Sequence, residues 1–134
     1  MEKIAVFPGS FDPFTVGHEE IVNRGLKIFD KIVIAVGVNA LKKEFLDVDS
    51  RVQLIQKVFS YTDRVIVEPY SGLTVDFCKE MGAPIIIRGL RTAADFEYER
   101  AVGQANRAMD SEIETVFILT STEHTFISST IVRN

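Results

Sequence analysis

The residues best suited to chemistry lie in a loop that follows the first apolar run of the chain. This loop reads Pro8-Gly9-Ser10-Phe11-Asp12-Pro13-Phe14-Thr15-Val16-Gly17-His18. His18 falls in the first turn of an expected helix, where free backbone N–H groups and the helix dipole favour an anion. Its imidazole, either protonated or as a neutral N–H donor, could therefore contact a phosphoryl oxygen as negative charge builds there. The alternative is a polar surface histidine at the start of a helix.

Ser10 supplies a hydroxyl group in the same loop. It could donate a hydrogen bond to the same phosphoryl group, or it could simply cap the turn made by Gly9. A role as a covalent nucleophile is disfavoured, because no Gly-x-Ser-x-Gly sequence surrounds it.

Two arginines follow a later apolar run. Arg88 and Arg91 lie three residues apart, directly after Ile85-Ile86-Ile87. A guanidinium presents a rigid fork of donors to phosphate oxygens and keeps its charge at every working pH. The two arginines therefore favour a phosphate site. The alternative is a surface salt bridge to a nearby carboxylate, for which the candidates are Asp95, Glu97 and Glu99.

Other charged and hydroxyl residues follow the remaining apolar runs. Lys42 and Lys43 come after the second run, and only their position distinguishes them from a solvated pair. Asp95 and Glu99 could brace Arg91, bind ribose hydroxyls or do neither. Near the end of the chain, the segment 127–133 places three hydroxyl residues before an apolar pair. Such a run can cap a helix and donate hydrogen bonds to phosphate oxygens.

The elements that position these residues alternate along the chain. Short apolar runs that are rich in β-branched residues indicate strands covered on both faces. They are predicted at Lys3–Phe7, Lys31–Val38, Arg64–Glu68, Pro84–Ile87 and Thr115–Leu119.

Segments with helical spacing lie between these strands. Helices are predicted at Gly17–Phe29, after an Asp47 N-cap, at Leu73–Met81 and at Ala93–Met109. The small residues of the last helix, with Tyr98, predict an inward face made of Ala94, Tyr98, Ala101, Ala105 and Ala108.

This alternation predicts one α/β domain over residues 1–134. Its fold is expected to be a Rossmann-like, doubly wound, five-stranded parallel sheet with helices on both faces. Ligands of such sheets bind beyond the carboxyl ends of the strands, where the strand order reverses. The basic and hydroxyl residues described above all follow strands, so they are expected to meet at one rim of the sheet. Their composition is that of a phosphate-binding site.

Composition excludes several other classes of function. The 134 residues carry 15 basic and 19 acidic side chains, and a net charge of −4 gives no reason to expect nucleic acid as a partner. No apolar run approaches the ~20 residues needed to cross a bilayer. The single cysteine, Cys78, fits a reducing compartment such as the cytoplasm. The chain has neither a P-loop motif nor a Gly-x-Gly-x-x-Gly fingerprint, and no spacing typical of zinc ligands.

The motifs together resemble a known family. Thr15-Val16-Gly17-His18 matches the T/H-x-G-H signature of the nucleotidyltransferase superfamily, and segment 127–133 (Ile-Ser-Ser-Thr-Ile-Val-Arg) resembles its second signature. More narrowly, the blocks 8–13, 87–91 and 95–99 are similar to bacterial phosphopantetheine adenylyltransferases. The resemblance runs from Lys3 to Arg133, and the Arg-Gly-Leu-Arg block followed by Asp-Phe-Glu-Tyr-Glu makes it specific.

The resemblance implies an activity. It implies transfer of the adenylyl group of ATP to 4′-phosphopantetheine, which gives dephospho-coenzyme A and pyrophosphate in coenzyme A biosynthesis. It further implies Mg²⁺ as cofactor, a cytoplasmic homohexamer and coenzyme A as a candidate feedback ligand. Within the enzymes, the rival hypothesis is a nucleotidyltransferase with another acceptor or another base. The rival from a different class is a non-catalytic sensor of nucleotides or coenzyme A.

The resemblance also implies roles for individual residues. His18 would hold the α-phosphate of ATP as it becomes pentavalent, and Ser10 would contact both substrates near the reacting oxygen. Lys42 and Arg88 would bind the phosphate of phosphopantetheine, and Thr74 would border its pantetheine arm. The remainder of the ATP site would be Phe11, Gly89, Leu90, Arg91, Glu99, His124, Thr125, Phe126, Ile127, Ser128, Ser129 and Thr130. No metal ligand is assigned.

The sequence departs from the family pattern in two places. Position 74 is Thr, where a larger aliphatic residue is expected, and the chain stops at Asn134, where the family continues into a helical tail. A backbone contact at position 74 tolerates the change, whereas a side-chain contact would be altered, and the shorter chain removes no matched site residue.

Overall fold

The computed structural model describes residues 2–38 and 43–120. Within them, strands and helices alternate in the predicted order. The strands are β1 (Ile4–Gly9), β2 (Lys31–Gly37), β3 (Val65–Tyr70), β4 (Ile85–Leu90) and β5 (Glu114–Leu119). The helices are α1 (Val16–Gly25), α2 (Val48–Val58), α3 (Thr74–Met81) and α4 (Ala93–Met109).

The strands form one parallel sheet in the order β3-β2-β1-β4-β5. The chain winds outward from β1 in one direction through β2 and β3, and then in the other through β4 and β5. The order therefore reverses between β1 and β4, which is where a doubly wound sheet binds its ligands. β1 and β4 share only two register pairs, Ala5↔Ile85 and Val6↔Ile86, whereas β1 and β2 share six. The predicted fold class is confirmed.

Each face of the sheet carries its own apolar core, because successive side chains of a strand point to opposite faces. Ala5, Phe7 and Ile87 belong to the core that α1 and α2 cover. Val6 and Ile86, one position away, belong to the core that includes Cys78 of α3. Helices therefore cover both faces of the sheet, as predicted.

The predicted end of the first helix is wrong, since α1 ends at Gly25 and not at Phe29. A side chain at Gly25 would place its Cβ 2.7 Å from Ile32 Cδ1, so the absence of one lets the end of α1 approach β2 closely. The chain then turns, and Arg64 donates to the carbonyls of Leu26 (2.6 Å) and Phe29 (2.9 Å). The Arg64 side chain thus supplies hydrogen-bond donors to carbonyls that follow the end of the helix.

Three strands extend further toward the site than predicted, and one of them is β3, which continues through Pro69 to Tyr70. β1 continues through Pro8 to Gly9, and β4 continues through Arg88 to Leu90. Arg88 therefore projects from the sheet itself and not from a loop after it. A rigid strand holds a side chain in one orientation better than a loop does.

The predicted inward face of α4 is also wrong. Tyr98 is 68% exposed, and the four alanines assigned to the same face are exposed as well. The helix instead turns Glu99 and Gly103 toward the sheet, and a Cβ at Gly103 would lie 3.3 Å from Thr115 Oγ1. This approach between α4 and β5 depends on one glycine, and regular spacing of alanines does not determine which face is buried.

No helix within residues 2–38 and 43–120 has the length and apolar character required to cross a membrane.

Candidate functional site

Two cavities lie side by side at the carboxyl ends of β1 and β4. The first, here called the His18 cavity, has a volume of about 510 Å³ and is lined by His18, Arg91 and Gly89, among others. The second, the Thr74 cavity, has a volume of about 600 Å³ and lies toward β2 and α3. They share a wall made of Pro8, Gly9, Ser10, Arg88 and Glu99. Each cavity is of a size that holds a small-molecule ligand.

A reciprocal cap at the start of α1 positions His18. The Thr15 hydroxyl accepts from His18 N (3.3 Å), and the Thr15 backbone N–H donates to His18 Nδ1 (3.0 Å). Because Nδ1 accepts that bond, the proton of the neutral ring is assigned to Nε2. The imidazole is thus a hydrogen-bond donor without a charge.

The surroundings of His18 keep it neutral. Burial, together with the smaller effects of the positive charges of Arg91 and Arg88, lowers its pKa from 6.5 to about 4. At neutral pH the ring therefore carries no charge, and it can donate Nε2–H at any pH well above 4. Of the two forms expected from the sequence, a protonated ring or a neutral donor, the structure favours the neutral donor.

Aromatic side chains form the apolar side of the His18 cavity. The rings of Phe7, Phe11 and Phe14 pack against the imidazole, with centroids 6.2, 5.0 and 5.4 Å from its own. Phe11 is buried at a φ of 50°, which is uncommon for a residue with a side chain. A Cβ at Gly9 would come within 2.9 Å of the Phe11 ring, so this ring position requires glycine there. These contacts restrict the imidazole to one orientation.

Arg88 is held by a two-pronged ion pair. Its Nε and Nη2 donate to the two carboxylate oxygens of Glu99, each at 2.8 Å, and its Nη1 donates to Pro8 O at 2.7 Å. The hydrogen bonds to Glu99 raise the pKa of Arg88, outweighing the opposite effect of burial. Within the described residues, these contacts use three of the five N–H donors of the guanidinium. The other two N–H donors are left for a ligand.

Arg91 is the more exposed of the two arginines. Its Nε lies 3.8 Å from Asp95 Oδ2, and its side chain is 67% exposed. Asp95 also accepts from Thr92 N in the cap of α4. Both arginines therefore form the ion pairs that were the alternative hypothesis, and both still line the His18 cavity. Glu99 braces Arg88, whereas Asp95 lies beside Arg91.

Most of the described residues expected at the site from the sequence are brought together. Ser10, Phe11, His18, Arg88, Gly89, Arg91 and Glu99 line the His18 cavity. Thr74 lines the other cavity, and its hydroxyl lies 3.0 Å from the Tyr70 hydroxyl. Leu90 is buried and lines neither cavity, while its carbonyl accepts from Thr120 N (2.8 Å). Residues outside the described part of the chain are Lys42, His124, Thr125, Phe126, Ile127, Ser128, Ser129 and Thr130.

Sequence reasoning missed two residues that shape the site. Arg51 is buried on the inner side of α2 and donates to Ser10 O at 2.6 Å. Tyr70, at the end of β3, lines the Thr74 cavity. A signal for Arg51 was present, because it lies one helical turn before the buried Ile55, on the apolar side of α2.

The carboxylates near the His18 cavity are already engaged. Asp12 accepts from Phe45 N and Leu46 N, Glu99 pairs with Arg88, and Asp95 accepts from Thr92 N. No group of three or more histidine, cysteine or acidic side chains suited to a metal ion occurs in residues 2–38 and 43–120. Mg²⁺ typically uses one or two carboxylates together with substrate phosphates.

Comparisons with known proteins identify the family of this chain. Residues 6–134 match the cytidylyltransferase-like family. The chain is 50% identical over 134 residues to phosphopantetheine adenylyltransferase of Cytophaga hutchinsonii, covering 100% of this chain and 89% of that protein. It is 48% identical over 131 residues to the enzyme of the same name from Geotalea daltonii, covering 98% of this chain and 81% of that protein.

Solved structures share the fold at low sequence identity. A bifunctional NMN adenylyltransferase/ADP ribose pyrophosphatase from Francisella tularensis, solved with AMP and manganese, superposes with a TM-score of 0.65 at 18% identity, over 91% of this chain and 38% of that one. A lipopolysaccharide core biosynthesis protein from Thermoplasma volcanium gives 0.64 at 21% identity, over 90% of this chain and 98% of that one. At these identities the likeness concerns the fold.

Proposed function

We infer that this chain, which belongs to the phosphopantetheine adenylyltransferases of the cytidylyltransferase-like family, transfers the adenylyl group of ATP to 4′-phosphopantetheine. The products are dephospho-coenzyme A and pyrophosphate, and the reaction is a step of coenzyme A biosynthesis. The chain is thus a nucleotidyltransferase.

One observation carries the assignment of the two substrates to the site, namely the shared wall of the two cavities. Ser10 and Arg88 lie on that wall and face both cavities. We propose that ATP occupies the His18 cavity, where a neutral N–H donor and Arg91 meet. Phosphopantetheine then occupies the Thr74 cavity, with its phosphate toward Arg88 and its pantetheine arm along Thr74. This arrangement would bring the acceptor phosphate and the α-phosphate of ATP together at the wall.

The reaction needs no strong general base. A phosphate oxygen of the acceptor forms the new bond to the α-phosphorus, and the bond from that phosphorus to the bridging oxygen of the β-phosphate breaks. Pyrophosphate leaves with the electron pair. Alignment of two bound reactants contributes a large part of the rate, since effective molarities reach roughly 10⁵ M or more.

The side chains supply donors for the growing negative charge. We propose that His18 Nε2–H donates to a non-bridging oxygen of the α-phosphate, and that the Ser10 hydroxyl donates beside it. The two free donors of Arg88 would bind the acceptor phosphate, while Glu99 keeps the guanidinium plane fixed. Arg91, being mostly exposed, is suited to the outer phosphates of ATP.

We further propose that magnesium arrives with the triphosphate, because the nearby carboxylates of the described residues are engaged. By family likeness, we propose that the enzyme is a cytoplasmic homohexamer and that coenzyme A acts as a feedback ligand. Lys42 and residues 124–130 stay predictions for the phosphopantetheine and ATP sites.

One assay tests the proposed function. Pyrophosphate release from ATP and Mg²⁺ is measured with and without 4′-phosphopantetheine, and we expect release only with the acceptor. CTP in place of ATP, and nicotinamide mononucleotide in place of the acceptor, test the rival nucleotidyltransferases. Release with either of these substitutes but not with ATP and phosphopantetheine would contradict the proposal. Tight binding of nucleotide without any release would indicate a sensor.

A further inference from the structure

Arg51 is a buried cation that none of the proposed steps uses. It lies on the inner side of α2 with only 3% of its surface exposed, one turn before the buried Ile55. Burying a charge is costly unless hydrogen bonds and a partner charge compensate it. What Arg51 contacts therefore indicates why a cation lies there.

The guanidinium of Arg51 joins three separate parts of the chain. Nη1 donates to Ser10 O (2.6 Å) after β1, and to Gly37 O (3.3 Å) at the end of β2. Nε donates to Leu46 O (3.0 Å), and Nη2 donates to the Glu44 carboxylate (2.9 Å). Four of the five N–H donors are used, three of them on backbone carbonyls.

A second set of bonds holds the same region. The carboxylate of Asp12, two residues after Ser10, accepts from Phe45 N (2.7 Å) and Leu46 N (2.9 Å). The loop after β1 is thus connected to the segment before α2 by Arg51 on one side and Asp12 on the other. Ser10 itself is exposed, and it lies on the wall between the cavities.

We propose that Arg51 is a positioning residue for the adenylyl transfer, and that it acts through Ser10. Arg51 holds the Ser10 carbonyl from the core side. The Ser10 hydroxyl then faces the point on the shared wall where the two substrates meet. The inference rests on the proposed function. A displacement of about 1 Å in a group that aligns the reaction can reduce the rate by roughly 10²-fold.

Arg51→Lys is the variant that tests this role. A lysine keeps the charge, but its compact ammonium cannot reproduce the planar fork that spans Ser10, Gly37 and Leu46. We expect kcat for pyrophosphate release to fall by about 10- to 100-fold, while KM for ATP changes by less than about threefold.

The same substitution in a Ser10→Ala background separates positioning from general destabilisation. If Arg51 acts through Ser10, Arg51→Lys in that background costs less than about threefold in kcat, because the hydroxyl is already absent. An equal loss in both backgrounds would overturn the proposal. An unchanged kcat for Arg51→Lys or for Ser10→Ala alone would overturn it as well.

The chain contains a matched control. Arg64 donates to the carbonyls of Asp30, Leu26 and Phe29 at the opposite end of the sheet, so it is also an arginine that binds carbonyls. Arg64→Lys should lower the melting temperature and leave kcat and KM unchanged. A loss of kcat equal to that of Arg51→Lys would show that any loosened carbonyl contact slows the enzyme, which overturns the specific role.

Glu44→Ala provides a milder variant if Arg51→Lys does not fold. It removes only the Nη2 partner, which is partly exposed, and should reduce kcat about 3- to 10-fold in the wild-type background and not in Ser10→Ala. Wild-type protein without acceptor-dependent pyrophosphate release would overturn the proposed function itself. If the wild type is active but the losses of kcat caused by the Arg51 or Glu44 substitution and by Ser10→Ala are additive in free energy, only the role of Arg51 is overturned.

Discussion

Replacement of His18 by alanine is the most direct test of the mechanism. The structure makes the imidazole a neutral donor, oriented by Thr15 N and by three phenylalanine rings. Loss of one oriented donor to a developing oxyanion costs about 3–4 kcal/mol, or roughly 10²–10³ in kcat. Because the donor acts on charge that grows in the transition state, KM for ATP should change by less than about threefold.

The low pKa of His18 makes the prediction sharper. With a pKa of about 4, only about 1% of the ring is protonated at pH 6, so kcat should not fall as the pH passes through the ordinary histidine value of 6.5. The folded state then binds fewer protons than the unfolded state between pH 6.5 and about 4. The contribution of His18 to stability is therefore complete above pH 6.5 and is lost as the pH falls toward 4.

The assay is steady-state pyrophosphate release at saturating substrates, from about pH 5.5 to about pH 8, for the wild type and His18→Ala. Imidazole ¹⁵N NMR follows the ring itself, and Arg91→Met should raise the pKa of His18 because one of the depressing charges is removed. His18→Gln, which carries a donor that does not titrate, should retain more activity than His18→Ala. A turnover of His18→Ala within threefold of the wild type would refute the assigned role. An NMR pKa near 6.5 would refute the neutral donor.

Three further substitutions test the acceptor pocket and the packing. Arg88→Ala should weaken phosphopantetheine binding by about 10- to 100-fold, since charged hydrogen bonds contribute about 1.5–3 kcal/mol. Calorimetry with pantetheine as the control ligand should show a much smaller loss of affinity. Equal losses of affinity for the two ligands would exclude a contact between Arg88 and the phosphate. Glu99→Gln breaks the two-pronged ion pair with Arg88. It should therefore reduce the free energy of unfolding in urea by about 1–3 kcal/mol and raise KM for phosphopantetheine. Unchanged values would show that neither stability nor acceptor binding needs the pair. Gly25→Ala should destabilise the protein by about 1–3 kcal/mol with kcat unchanged, because its Cβ would lie 2.7 Å from Ile32 Cδ1. Wild-type stability in this variant would show that the core around Ile32 repacks without cost.

The sheet was predictable because its central strands are buried on both faces. Runs such as Ile85-Ile86-Ile87 have no polar side, and that property alone separates them from the amphipathic helices. The ends of elements were less predictable, since they depend on distant partners. The end of α1 depends on how closely Gly25 approaches Ile32, and on Arg64 binding carbonyls that follow it.

The candidate site was predictable to the extent that it is built from strand ends. Ser10 follows β1, His18 lies in the first turn of α1 and Arg88 lies in the second half of β4, so their meeting at one rim follows from topology. The pairing of Arg88 with Glu99 was one of several open alternatives, because only the packing of α4 selects among the three acidic residues. Arg51 was missed although its spacing from Ile55 places it on the buried side of α2, because three of its four hydrogen bonds go to backbone carbonyls, which no side-chain motif marks.

The short pairing between β1 and β4 has a consequence for the order in which the chain folds. Pro8 and Arg88, whose contact spans it, are 80 positions apart in the chain. During synthesis on the ribosome, the half of the proposed reaction centre that carries Ser10 and His18 emerges long before the half that carries Arg88 and Arg91. A nascent chain therefore has no complete centre until its last two strands add to the first three. Each molecule therefore becomes catalytically competent late in folding, when β4 pairs with β1.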